Sequence, residues 1–187
     1  MHRALVIIQC LLLAVLACRV DTACAQRLGL SNLILDNQDG RAKVRFAVDV
    51  KAVESVDEAL RNGQVLALEC KAVLSRKRDY LWNREVSRAE LLSPLLLHDG
   101  GPYEIELRLR GDERVRGRDL ALVMREAWGS MSMDLGPWSA LERGGAYALS
   151  LEIRLVRQDV SDWLKGALFF WGFDPVSPVK YQLDFSY

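Results

Sequence analysis

This sequence of 187 residues predicts a mainly β fold, an antiparallel β-sandwich or partly closed barrel with two short helices. Three observations carry that reading. Apolar residues recur at every second position over residues 42–50, 103–110 and 147–155, with mostly polar or charged residues between them, the period of a strand with one face in a core and one in water. Turn-forming clusters stand beside such runs, notably Asp39-Gly40 and His98-Asp99-Gly100-Gly101-Pro102, where glycine, aspartate and proline supply the backbone angles that reverse a chain. Strands and helices do not alternate regularly, which argues against a parallel α/β sheet.

The chain opens on a segment set apart from that domain. Met1-His2-Arg3 is a short basic start, and residues 4–17 are apolar apart from Gln9. This run is shorter than the roughly 20 residues a spanning helix needs. With the small residues Ala23-Cys24-Ala25 behind it, it reads as a cleavable export signal of residues 1–25, cut between Ala25 and Gln26. The expected home of the mature protein is the periplasm. Val15-Leu16-Ala17-Cys18 loosely matches a lipidation site, so a membrane-anchored lipoprotein through Cys18 is the alternative.

Residues 26–187 then form one domain, long enough for a sizeable core. Losing Arg3, Arg19 and Asp21 turns 25 basic and 25 acidic residues into 23 and 24, a near-neutral balance whose global charge steers the chain neither to nucleic acid nor to anionic lipid. Of the four cysteines only Cys70 remains in the mature part, so no internal disulfide is expected. Cys70 alternates with Leu66, Leu68, Ala72 and Leu74, the setting of a buried small apolar side chain rather than a reactive thiol.

Taken in order, the stretch from Leu30 to Leu35, the Asp39-Gly40 turn and the 42–50 run predict a first hairpin. Ser55-Val56-Asp57-Glu58 has capping-box spacing and Gly63 stands where a helix would stop, which predicts a helix starting at Ser55. The 66–74 strand follows. The segment from Arg84 to Leu97 contains Pro94, which predicts an edge strand or a bulge. A strand from Tyr103 folds back on it after the glycine turn. Leu120, Val123, Met124, Ala127 and Trp128 recur at helical spacing behind Asp119, with Gly129 closing the second helix. Beyond the 147–155 strand, Trp163-Leu164 and then the continuous run from Ala167 to Phe173 concentrate apolar residues, which fits a strand buried on both faces or a patch for a partner.

Catalytic machinery is sparse. His98 is the single mature histidine, and its place in a glycine-rich turn suits a structural role better than a general base. One histidine and one cysteine do not make a zinc site, and no phosphate-binding glycine loop or nucleophile elbow is present. No cofactor is therefore expected, and a hydrolase built on His98 is a minor alternative. Glu104 and Glu106, beside Arg108 and Arg110, read as a solvated charged face. Arg110-Gly111-Asp112 reads as ordinary turn chemistry at a strand end.

Two segments point toward binding. From Arg76 to Arg84, basic residues meet aromatic ones, and Arg76, Arg78, Tyr80 and Trp82 form a candidate contact surface for lipid headgroups, glycan or a protein. The competing reading places these aromatics over the rim of the core. At the C-terminus, Val179, Tyr181, Leu183, Phe185 and Tyr187 alternate with polar residues. That resembles the closing strand of an outer-membrane barrel, the alternative fold that this length allows.

Ala59-Leu60-Arg61-Asn62-Gly63 before an apolar strand, the Arg76 to Trp82 segment, the 119–128 helix and the strand from Tyr147 together resemble the bacterial exported family catalogued as domain of unknown function 4390. Its most recognisable stretch falls on Leu60, Gly63, Arg76, Tyr80 and Trp82. The resemblance implies a single exported domain, with an envelope protein or membrane sensor kinase as the partner class and no known catalytic residues to transfer. The expectation is a non-catalytic periplasmic binding domain.

Overall fold

The computed structural model describes residues 28–78, 81–107, 113–158 and 176–187. They form two antiparallel sheets and two helices, a mainly β arrangement consistent with a sandwich. The proposed signal and the apolar run from Trp163 to Phe173 lie outside the described residues, as does the 110–112 tripeptide.

The first sheet has three strands in the order β1-β2-β7: β1 (Leu28–Gln38), β2 (Arg41–Val50) and β7 (Met131–Pro137). The β1–β2 hairpin follows the sequence expectation. Asp39 (φ 54°) and Gly40 (φ 76°) both adopt the left-handed backbone region, the two-residue turn whose twist matches its strands. The alternation in β2 buries Ala42, Val44, Phe46, Val48 and Val50.

The second sheet runs β6-β5-β4-β3-β8-β9. Its central members are β3 (Leu66–Arg76) and β8 (Ala146–Arg157), paired in unbroken register from Leu66 opposite Arg157 to Arg76 opposite Tyr147. Leu66, Leu68, Cys70, Ala72 and Leu74 of β3 are buried with Tyr147, Leu149, Leu151, Ile153 and Leu155 of β8. One edge is β9 (Val176–Ser186), and the other is β6 (Glu113–Gly117) beyond β5 (Tyr103–Leu107). Pro178 and Lys180 on β9, like Arg114 and Arg116 on β6, are residues that discourage edge-to-edge association.

Neither sheet closes on itself among the described residues, so the partly closed barrel gives way to the sandwich. The apolar faces turn inward onto a shared core, the reverse of a wall with its apolar side in lipid. Tyr181 on β9 joins the two layers by accepting a hydrogen bond from the Leu30 N–H at 3.1 Å. At the opposite flank the small sheet falls short, and helices complete the cover. Helix α2 (Leu120–Trp128) packs between β2 and the β5–β6 pair, while α1 (Val53–Arg61) meets α2 and β4 (Arg84–Leu97).

The helix ends differ in how they follow the sequence. Asp119 caps α2 as expected, its carboxylate accepting from the Leu122 N–H, and the five apolar residues named above are all buried. Helix α1 begins at Val53, not Ser55, and has no side-chain cap. Burial of Val56 fixes the earlier start, since its N–H donates to the Ala52 carbonyl and its side chain is wholly inside. At the far end Gly63 (φ 78°) donates to Leu60 and Gln64 to Ala59, the paired bonds of a glycine-stopped helix.

The edge or bulge expected from Pro94 is not found: β4 lies between β5 and β3, and Pro94 stays in register opposite Ala67. The ladder of β4 with β3 runs from Arg84 to Leu95, and only Leu95, Leu96 and Leu97 pair with β5, so the proline is tolerated where no β5 partner needs its missing N–H. The proline sits where the second ladder stops.

Candidate functional site

The segment between β3 and β4 forms a tip whose described residues are 77, 78 and 81–83. Trp82 is 93% exposed and Leu81 67%. That overturns the core-rim reading for Trp82, while Tyr80 lies outside the described residues. Among the described residues, the remaining exposed large apolar side chains are scattered: Ile34, Leu122 and Tyr187. Leu81 and Trp82 are adjacent and both in water, which single exposed apolar residues do not explain.

The charges around the tip sort into paired and unpaired. Arg76 is held by Glu142 at 2.7 Å and Lys77 by Asp184 at 2.6 Å. Lys77 keeps the Asp184 carboxyl below its ordinary range, helped by the Gln182 amide. Arg78, Arg84 and Arg143 are exposed and make no ion pair among the described residues. Arg84 stands directly opposite Arg76 across the ladder, a like-charge pairing that folding alone disfavours.

Arg143 belongs to the same end. The turn before β8 lies against the hairpin base, where the Lys77 N–H donates to the Ala146 carbonyl at 2.8 Å. Beside it the final residue returns, with the Tyr187 N–H bonded to the Gly145 carbonyl and its ring edge-on to Trp138 at 5.5 Å. Tyr147 and Phe185 stack beneath at 5.6 Å. Of the four candidates that the sequence singles out on this segment, Arg78 and Trp82 are free to meet a partner and Arg76 is tied into the scaffold. Leu81, Arg84 and Arg143 complete the surface. Leu81 and Arg84 lie within the basic-aromatic segment, whereas Arg143 reaches it only through the fold.

A second polar cluster spans β5 and the edge strand β6. Glu104 is buried at 1% exposure, which corrects its reading as a solvated residue. Its carboxylate accepts from the Arg116 guanidinium, lies 2.8 Å from His98 Nε2 and is 3.4 Å from Arg114. Arg116 first, and His98 after it, hold this carboxyl below the usual range against the opposing effect of desolvation. His98 itself closes the turn, its N–H donating to Pro102 and its carbonyl accepting from Gly101. These contacts describe a pin between two strands and a turn.

Nothing else among the described residues concentrates chemistry. No group of three or more His, Cys, Asp or Glu side chains is placed to hold a metal ion. A groove of about 340 Å³ between β7 and β4 is lined by Lys43, Leu91, Met131 and Asp134, and Asp134 is already engaged by Arg41. Cys70 is fully buried, and desolvation pushes its thiol up to about 12. Alkylation of the folded protein by iodoacetamide at pH 8 should leave Cys70 unmodified and modify it on unfolding in urea. Labelling at equal rates with and without urea would show that the core opens readily.

No helix among the described residues is long and apolar enough to cross a membrane. The model of the family described as Domain of unknown function (DUF4390) matches residues 25–183. No curated protein matches the chain.

Proposed function

We propose that this chain, which belongs to the DUF4390 family, is an exported, non-catalytic domain that binds a component of the bacterial envelope through its β3–β4 tip. The observation that carries this is Trp82, 93% exposed beside Leu81 and flanked by unpaired arginines. A bare indole on a folded scaffold is a large, stiff, amphipathic contact that loses little conformational entropy on binding. Residues 1–25 supply the export signal, with cleavage after Ala25 leaving Gln26 first. An envelope protein, a membrane sensor kinase among them, is the partner class the family resemblance implies.

Site-specific photo-crosslinking in living cells tests the binding reading. A photoreactive phenylalanine analogue at position 82 should form adducts, and the same analogue at position 122, exposed on α2, should not. Equal yields at the two positions, or none at 82, would remove the tip as a contact surface. Intact mass of the protein recovered from cells tests the N-terminus, with a chain beginning at Gln26 expected and an acylated Cys18 counting against it.

A further inference from the structure

The tip has the composition of a membrane-surface anchor. We propose that the β3–β4 tip docks on anionic phospholipid, with Leu81 and Trp82 entering the headgroup region and Arg78, Arg84 and Arg143 on the lipid phosphates. This rests on the reading of the tip as a contact surface and names what it contacts.

Three features select lipid over a protein groove. The apolar pair is exposed, Trp82 by 93% and Leu81 by 67%, and a bilayer admits exposed apolar side chains without a matching pocket. Tryptophan is the side chain most at home at the membrane interface, ring among the acyl ends and N–H among the headgroups.

The charge pattern agrees. Around the tip the acidic residues Glu142, Asp184 and Glu85 are spent on Arg76, Lys77 and Arg88, and Asp79 of the same segment lies outside the described residues. The excess charge is cationic, three arginines without ion pairs among the described residues, on a chain whose overall balance is zero. Each cation near an anionic surface adds attraction that decays within a Debye length. The arginines come from both sides of the hairpin and from the turn before β8, whose Glu142 pairs with Arg76 at the hairpin base.

The rest of the end face supports a shallow seat. Beside the hairpin base stand Tyr187, 37% exposed, and Trp138, its edge-on neighbour. Both are held by the fold: the Tyr187 N–H bonds to Gly145, and the Trp138 N–H donates to the Gly40 carbonyl at 2.8 Å.

Co-sedimentation with vesicles tests the proposal on the full-length protein as cells process it. Vesicles of phosphatidylcholine with 30% phosphatidylglycerol should retain the wild type about tenfold better than pure phosphatidylcholine, and 0.5 M salt should abolish the difference. Trp82→Ser and the pair R78E/R84E should each weaken retention about tenfold. All variants share one N-terminus, so any acyl chain at Cys18 contributes equally and cancels. Equal retention on both vesicle types, or variants that bind like the wild type, would overturn the proposal. Failure here together with protein adducts at position 82 would leave the tip as a contact surface and replace lipid with a protein. Absence of both would end the two readings together.

Discussion

Trp128→Ala should destabilise the domain by about 3–5 kcal/mol, seen as a lower urea midpoint with an unchanged slope. Trp128 ends α2 and is fully buried, in the space where the three-stranded sheet no longer covers the six-stranded one. Removing the indole leaves a cavity at the seam between α2 and the large sheet, which the surrounding β strands are too firmly paired to fill. The indole also satisfies a buried polar chain. Its Nε1–H donates to Ser93 Oγ at 3.0 Å, and that hydroxyl donates to the Glu106 carbonyl at 2.8 Å.

The two effects separate by substitution. Trp128→Phe keeps most of the ring volume and removes the hydrogen bond, for a loss of about 1–2 kcal/mol; Ser93→Ala strands the buried N–H and should cost about 1–3 kcal/mol. Combining the last two should cost clearly less than their sum, because both delete one bond. A Trp128→Ala loss under about 1 kcal/mol would mean that α2 is not integral to the core.

The part of this fold that sequence reasoning reaches is the part written in local periodicity. Alternation in β2, β3 and β8 states which face is buried, and Asp39-Gly40 states where the chain turns. The register of β3 between β4 and β8 follows no such local signal, yet it builds the six-stranded sheet. Strand β7 shows why short elements escape notice. Met131, Met133 and Leu135 do alternate and are buried, but a seven-residue strand that follows a helix-ending glycine and itself ends in Gly136-Pro137 looks like a loop. At α1 the Ser55 cap is locally sound, and burial of Val56, Ala59 and Leu60 outweighs it.

The candidate surface divides in the same manner. The basic-aromatic composition from Arg76 to Arg84 marks the tip in the sequence, but whether Trp82 covers the core or faces water depends on how far the hairpin extends past its neighbours. Arg143 joins the tip because β8 starts beside the end of β3. Charge pairing is equally non-local: Lys77 and Arg78 are adjacent in sequence, and among the described residues only Lys77 finds an aspartate, 107 positions away.

Glu104 is where sequence reasoning fails outright, and it yields the second large effect. On a strand read alone, an outward glutamate beside arginines is a wet residue. In the sheet, β6 brings Arg114 and Arg116 over it and the glycine turn brings His98, so long side chains on neighbouring segments bury a carboxylate that its own strand would expose. Glu104→Gln should cost about 1–2 kcal/mol at pH 7 by urea unfolding, at the modest end because Arg114 and Arg116 are themselves more than half exposed. The cost should depend on pH in one direction. The folded carboxyl titrates below its unfolded counterpart, so its stabilisation is complete above the ordinary glutamate value of about 4.3 and is lost as the pH falls through the lower folded value. The gap between wild type and variant should therefore close in acid. Asp57, Asp134 and Asp184, which are also held low by cationic partners, weaken both proteins alike and drop out of the difference. A gap that persists unchanged from pH 7 to below the folded value would assign the loss to packing of the side chain, and the ionic pin between β5, β6 and the His98 turn would no longer account for it.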